Sequence, residues 1–131
     1  MTLRHAAGVL VMVGISAVLC CDSGDRIFVV RVDRIEAPLS VTPGTPFEVK
    51  LHGTIGPDLC SFLEQIISER TTQQLDLTVY GRRKRGPQIC PDARSLLRGE
   101  VVVVRPPFAG PFRIVVHQPD DTTLESLVQV Q

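Results

Sequence analysis

Residues 47–52, Phe-Glu-Val-Lys-Leu-His, alternate apolar and polar side chains without interruption. A period of two places Phe47, Val49 and Leu51 on one face of an extended chain and the polar residues on the other. Just before this segment, residues 41–46 (Val-Thr-Pro-Gly-Thr-Pro) are dense in turn-forming residues. The sequence therefore predicts a strand that begins at a turn and buries one of its faces in a core.

The same alternation recurs along the rest of the chain. Residues 28–33 and 75–80 repeat the period of two. The four valines at 101–104 are β-branched throughout, which predicts a strand buried on both faces. Further candidate strands lie at 66–70, 112–116 and 124–130. About seven short strands separated by turn signals predict an all-β fold, a β-sandwich.

Residues 59–70 allow two interpretations. Ser61 and Glu64 could form a capping box, and the apolar residues Leu59, Phe62, Leu63, Ile66 and Ile67 fall at helical spacing. Against a helix, Thr71-Thr72-Gln73-Gln74 could turn a hairpin into the strand at 75–80. We favour a strand for residues 66–70. Farther along, residues 92–99 are predicted to form a short helical turn.

The N-terminal segment, residues 1–21, has the composition of a secretory signal. A polar start with Arg4 precedes an uncharged apolar run from Ala6 to Leu19. This run is shorter than the roughly 20 apolar residues that a membrane-spanning helix needs. We predict a cleaved signal followed by one exported domain over residues 22–131.

The end of that signal, Val18-Leu19-Cys20-Cys21, resembles the lipobox of bacterial lipoproteins. The resemblance implies that the Cys21 thiol takes a diacylglyceryl group, and that this lipid holds the protein on a membrane of the cell envelope. Cys20 stands where the family usually has Gly, Ala or Ser, and Cys20 is the alternative acceptor. Secretion of a soluble domain without lipid is the other alternative.

Two cysteines, Cys60 and Cys90, remain in the predicted mature domain. An even number of cysteines in a small exported domain predicts a disulfide, because the compartment is oxidising. Neither cysteine lies in a CxxC motif, and no histidine sits at ligand spacing from either one. A metal site or a redox pair is therefore disfavoured.

Two turns resemble those of bacterial immunoglobulin-like domains. Thr42-Pro43-Gly44 before the strand at 47–52 looks like the opening of such a domain, and residues 107–116 resemble the turn into the penultimate strand. Phe112 stands where Tyr is common, so a tyrosine-corner hydrogen bond cannot form. The chain is similar to small bacterial lipoproteins that carry one such domain. The resemblance implies a single immunoglobulin-like antiparallel β-sandwich and no assigned biochemical role.

Composition narrows the class of partner. The formal net charge is zero, and the aromatic residues are five Phe and one Tyr, with no Trp. A neutral chain that is poor in stacking side chains predicts no nucleic-acid partner. The sharpest surface feature is the run Arg82-Arg83-Lys84-Arg85, placed in a predicted loop over residues 81–91. This run is a candidate binding loop for phosphate headgroups, acidic polysaccharide or an acidic partner.

Residues that could carry catalysis do not form a recognisable motif. His52 and His117 fall on the polar sides of their strands, and Asp120-Asp121 lies in a turn. We predict no catalytic residues, no metal and no cofactor. The leading interpretation is a non-catalytic, lipid-anchored envelope module that binds a protein or polymer partner. A structural accessory subunit of an envelope assembly and a small hydrolase with a dispersed site are the alternatives.

Overall fold

The computed structural model describes residues 24–86 and 88–131. The predicted signal segment, with the two candidate lipidation sites Cys20 and Cys21, lies outside the described residues. Within them the chain forms nine strands and no helix, so the predicted all-β class is confirmed. In chain order the strands are β1 (Arg26–Val29), β2 (Arg31–Glu36), β3 (Ser40–Val41), β4 (Phe47–Gly56), β5 (Ser61–Arg70), β6 (Gln74–Arg83), β7 (Ser95–Val104), β8 (Phe112–His117) and β9 (Thr123–Val130).

These strands form two sheets. The smaller sheet has the order β2-β4-β7, and all of its pairs are antiparallel. In the larger sheet β5 pairs with one edge of β6, while β1 and β8 share the other edge, followed by β9 and β3. Two pairs of the larger sheet, β6 with β8 and β3 with β9, are parallel, so the expectation of a wholly antiparallel sandwich is wrong for this sheet. The inward-facing residues of the two sheets, among them Val49, Leu51, Leu77, Val79 and Ile114, make one apolar core.

Nine strands appear in place of about seven because one predicted strand is divided and a short one is added. The alternating segment 28–33 breaks at Val30, where the chain leaves the larger sheet as β1 and joins the smaller sheet as β2. Val30 is fully buried at this crossing. Ser40–Val41 adds a two-residue parallel pairing along β9, which is too short to show a periodic pattern.

Strand β5 shows why residues 59–70 also fit a helix. Leu63 pairs with Gly81 and Gln65 pairs with Tyr80, so Glu64 is an extra residue in a β-bulge. The bulge shifts the alternation by one position, and Leu63 and Ile66 both pack against the core although they are three residues apart. A bulged strand therefore mimics the spacing of a helix. The prediction of a strand for residues 66–70 is confirmed, and the strand extends back to Ser61.

Two predictions about β7 are wrong. Residues 92–99 do not form a helical turn, because β7 already begins at Ser95 and pairs with β4. The valines at 101–104 are not buried on both faces. Val104 is buried, whereas Val101 and Val103 are 47% and 45% exposed. The physical reason is that one face of this sheet packs on the core and the other meets solvent.

A glycine near the end of β6 lets β1 pack closely against that strand. Phe28 pairs directly with Gly81, and a Cβ placed on Gly81 would lie 2.7 Å from the Cζ of Phe28. The aromatic ring therefore occupies the space that any side chain at position 81 would need. This contact holds β1 against the core.

Gln118, in the turn after β8, links the two sheets. Its side-chain Oε1 accepts a hydrogen bond from the Val32 N–H at 3.0 Å, and its Nε2 donates to the Val32 carbonyl at 2.7 Å. Gln118 is 8% exposed and Val32 is 2% exposed, so water cannot easily replace the amide. The side chain thus acts as a one-residue strand partner for β2.

We expect Gln118→Leu to lower the free energy of unfolding by roughly 2–4 kcal/mol, because the buried Val32 N–H and carbonyl would both lose their partner. Urea unfolding monitored by far-UV circular dichroism measures the change. Gln129→Leu, at an exposed position of β9, is the matched control and is expected to change stability by less than about 0.5 kcal/mol. Equal effects at the two positions would contradict the role given to Gln118.

Candidate interaction surfaces

The basic run at 82–85 is only partly a loop. Arg82 and Arg83 are the last two residues of β6, which corrects the prediction that all four cations lie in a loop. Arg82 donates to both carboxylate oxygens of Glu64, from Nε and Nη2, each at 2.8 Å. Arg83 makes a bidentate contact with Asp58, at 2.7 and 3.0 Å. Both guanidinium groups are therefore neutralised within the domain and do not form a free basic patch.

The carboxylates of these pairs are held in their charged forms. The hydrogen bond from Arg82 lowers the pKa of Glu64, and that from Arg83 lowers the pKa of Asp58. Asp58 also accepts a hydrogen bond from the Cys60 N–H at 3.0 Å. These contacts order the turn between β4 and β5. The structural role of Arg82 and Arg83 is thus to fix the turn and the β5 bulge.

Lys84 and Arg85 follow β6 and have exposed side chains. The Lys84 N–H donates to the Cys60 carbonyl at 3.1 Å, and the Lys84 ammonium lies 6.0 Å from the centre of the Phe62 ring. The Arg85 N–H donates to Asp25 at 3.4 Å. Their backbones are therefore fixed while their charges face solvent.

The predicted disulfide is present between Cys60 and Cys90, with the two Cα atoms 5.3 Å apart. It joins the start of β5 to the segment that leads into β7, and the Leu59 N–H bonds to the Pro91 carbonyl nearby. Cys60 is 6% exposed. Asp58 lies close to both sulfur atoms, but the bridge occupies the thiols that would otherwise ligate a metal. Structural disulfides of this kind are typical of proteins that fold in an oxidising compartment.

Each of the two described histidines faces a carboxylate on the surface. His52 Nε2 lies 2.8 Å from Glu36 on the neighbouring strand β2, and His117 Nε2 lies 3.0 Å from Asp76 on β6. The hydrogen bond with His52 lowers the pKa of Glu36. His52 lies within β4, because this strand continues to Gly56, beyond the segment 47–52 predicted from the sequence. The two imidazoles point outward from different sheets and do not share a site.

The turn at Asp120-Asp121 is held together by its own side chains. The Thr122 hydroxyl donates to Asp120 at 2.6 Å, and the Arg31 guanidinium lies 2.9 Å from the same carboxylate. These contacts lower the pKa of Asp120 to about 2. Asp121 adopts a left-handed backbone with a φ of 62°. The pair is thus a turn former that also binds β2, in agreement with the sequence analysis.

Three long edge strands of the sandwich, β2, β5 and β7, are each interrupted by a bulge. The extra residues are Asp33 in β2, Glu64 in β5 and Gly99 in β7, where Gly99 has a φ of +82°. Bulges twist an edge and disrupt the row of unpaired N–H and carbonyl groups that another strand would need. Because both edges of the β2-β4-β7 sheet are poor templates for strand addition, the face of that sheet is the better candidate for partner contact.

The outer face of the β2-β4-β7 sheet carries the apolar residues that β7 leaves exposed. Val101 pairs with Lys50 and Val103 pairs with Glu48, so the two valines lie beside a row of charges. A shallow groove of about 350 Å³ lies on the β2 side of the β4 charges, lined by Glu36, Ala37, Pro38, Glu48 and Lys50. We call Val101, Val103, Glu48 and Lys50 the β4–β7 face. It offers small apolar contacts flanked by both signs of charge.

Sequence reasoning missed two residues that matter for these surfaces. Gln118 has no periodic signature, because its partner Val32 lies far away in the chain. Asp58, in a Gly-Pro-Asp turn, gives no hint that it binds Arg83.

A search of the described residues finds no helix long and apolar enough to cross a membrane. Comparisons of the chain with protein-family models, curated proteins and solved structures give no match.

Proposed function

We propose that this protein is an exported, lipid-anchored and non-catalytic module of the cell envelope that binds a partner through the β4–β7 face. The observation that carries the proposal is the Cys60–Cys90 disulfide in a small sandwich, which supports folding in an oxidising compartment. The signal-like segment at residues 1–21 supports export, and its lipobox-like end at Cys21 supports a lipid anchor.

The position of the first strand supports a tethered domain. β1 begins at Arg26, a few residues after Cys21, and is fixed at once by its pairing with β6. A lipid on Cys21 would therefore hold the folded domain close to the bilayer surface. With Cys20 as acceptor the distance would hardly change.

The arrangement of the strands supports an immunoglobulin-like relationship in part. A sheet of β2, β4 and β7 opposite a sheet that contains the β8-β9 hairpin corresponds to the two-layer plan of such domains. The parallel pairing of β6 with β8 departs from that plan. We therefore propose the relationship for the layered architecture, without extending it to every strand connection.

The partner-binding part of the proposal rests on the β4–β7 face. Val101 and Val103 are nearly half exposed in a sheet whose edges are protected by bulges. Apolar side chains that are rimmed by charge are the usual composition of a transient protein contact. A structural accessory subunit would use the same face, and differs in forming a complex of fixed stoichiometry.

A photocrosslinking side chain at Val103 tests the face in intact envelopes. We expect covalent capture of a defined partner from position 103 and none from Leu127, a matched apolar residue that is 55% exposed on the other sheet. Capture of one partner in fixed ratio would identify the accessory-subunit alternative. Equal capture at both positions, or capture at neither, would remove the β4–β7 face from the proposal.

The intact mass of the membrane-extracted protein tests the anchor and the bridge together. We expect a chain that starts at Cys21 and carries acyl mass, and a gain of the mass of two hydrogen atoms when the reductant supplies two electrons and the thiols take up two protons. A chain without acyl mass in the culture fluid would make this a freely secreted domain.

Turnover of a substrate that is lost in His52→Ala or His117→Ala would instead support the hydrolase alternative.

A further inference from the structure

One end of the sandwich brings together the start of the described chain, the disulfide and the three exposed cations Arg26, Lys84 and Arg85. Arg26 at the start of β1 pairs with Arg83 at the end of β6, and Asp25 contacts both Arg82 and the Arg85 N–H. The disulfide adds the segment around Cys90 to the same end, since Cys60 binds the Lys84 N–H.

Large apolar side chains project from this end into solvent. Ile89 is 96% exposed, Leu59 is 50% exposed and Ile27 is 52% exposed. Ile89 is adjacent to Cys90, so the disulfide fixes the backbone from which it projects. We call Ile27, Leu59, Lys84, Arg85 and Ile89 the tether-end surface, because the segment that carries Cys21 joins the domain here. An apolar side chain held in water on a stapled loop suggests a contact that removes it from water.

The charges of the tether-end surface favour an anionic occupant. Arg82 and Arg83 are neutralised by Glu64 and Asp58. Arg26, Lys84 and Arg85 remain exposed, and the carboxylate beside them, Asp25, is 24% exposed and also contacts Arg82. On the segment after Cys90, Asp92 and Arg94 carry opposite charges and offset each other. The exposed side chains at this end are therefore net positive and apolar at the same time.

We propose that the tether-end surface docks on the headgroups of an anionic membrane, with Ile89 and Leu59 inserted at the interface and Lys84 and Arg85 on the lipid phosphates. This inference rests on the proposed lipid anchor, which would bring this end to the bilayer. Apolar side chains next to Lys and Arg match a headgroup layer, where hydrocarbon and anionic phosphate lie within a few ångströms. An acidic polysaccharide would satisfy the cations but leave Ile89 in water.

Docking would also orient the domain. Leu39 lies at the opposite end of the strands. Its carbonyl accepts a hydrogen bond from the Gln129 N–H near the end of β9, and the end of β9 pairs with the start of β8. Because β8 runs parallel to β6, the start of β8 lies beside the start of β6, away from Arg83 at the tether end. The β4–β7 face would then stand to the side of the molecule and remain accessible to a partner. The membrane contact therefore determines which surface the protein presents.

The absence of tryptophan from the chain makes a direct test available. Ile89→Trp places a single indole at the tether-end surface, and Leu39→Trp, at a site that is 86% exposed, places one at the opposite end. Each membrane-extracted full-length variant is reconstituted into vesicles of phosphatidylcholine and phosphatidylglycerol whose acyl chains carry bromine. We expect strong quenching of the indole in Ile89→Trp and almost none in Leu39→Trp.

Charge variants test the role of the cations. Each Lys or Arg near an anionic surface contributes about fivefold to partitioning, so Lys84→Gln with Arg85→Gln in the Ile89→Trp background is expected to lower the docked fraction relative to the undocked by roughly 25-fold. Replacing phosphatidylglycerol with phosphatidylcholine should have a similar effect. Unchanged urea midpoints of the variants show that the domain remains folded.

The outcomes separate the docking from the anchor. An acylated protein whose indole in Ile89→Trp is not quenched, or is quenched no more than in Leu39→Trp, would overturn docking while the anchor stands. Quenching in a protein without acyl mass would support docking and remove the anchor. Protection of the indole by an acidic polysaccharide and not by lipid would also overturn the membrane proposal.

Discussion

Replacing Phe112 with alanine is expected to lower the free energy of unfolding by about 3–5 kcal/mol. Phe112 opens β8 and is fully buried. Its ring meets Phe47 and Phe108 edge-to-face at centroid distances of 5.9 and 6.0 Å, and the Arg70 guanidinium lies over it at 5.7 Å. β8 is paired on both sides, so the backbone cannot easily collapse into the cavity. The loss is a large share of the roughly 5–15 kcal/mol that stabilises a typical domain.

The midpoint of urea unfolding measures this effect, provided the denaturant dependence of the free energy is unchanged. Phe62→Ala is the matched control. Phe62 lies on β5 with its ring partly exposed beside Lys84, and its truncation is expected to cost about 1 kcal/mol. If Phe112→Ala cost no more than Phe62→Ala, the aromatic cluster would not be the main support of this end of the core.

The second large effect is expected from the disulfide. Cys60→Ala with Cys90→Ala should lower the free energy of unfolding by about 3–4 kcal/mol, because the bridge closes a segment with a sequence separation of 30 and restricts the unfolded chain. Alanine is preferred to serine at position 60, since a hydroxyl would be buried there. Urea unfolding with and without reductant gives the measurement.

Reductant provides an internal control for this pair. The native protein should lose the same stability on reduction that the double variant loses by substitution, and the double variant should not respond to reductant. A double variant that still responds would show that another cysteine, Cys20 or Cys21, contributes a bridge. A native protein that is unaffected by full reduction would show that the disulfide does not stabilise the fold.

Much of the fold followed from the sequence where one face of a strand is buried. The alternation at 47–52 and 75–80 predicted β4 and β6 because a strand with one buried face must place apolar residues at every second position. The cysteine count predicted the Cys60–Cys90 bridge. Bulges limited this reasoning, since an extra residue such as Glu64 shifts the alternation and has no mark of its own in the sequence.

The candidate surfaces depended more strongly on tertiary structure. A run of four cations at 82–85 predicted a basic loop. In the structure Arg82 forms an ion pair with Glu64 and Arg83 forms one with Asp58, so only the other two cations of the run keep exposed charges. Those partners are set by strand pairing between distant residues. No local pattern contains that information.

By itself the sequence determined the all-β class, the approximate strand positions and the disulfide, because alternation reflects the short-range geometry of a half-buried strand and the two cysteines of the predicted mature domain allow one pairing within it. Tertiary structure alone decided that Val30 marks a crossing between sheets, that β6 pairs in parallel with β8, and that Gln118 completes β2. It also brought Ile89, Lys84 and the start of β1 to one end of the molecule. These features arise from contacts between residues far apart in the chain, whose free energies depend on the packed fold and not on the neighbouring sequence.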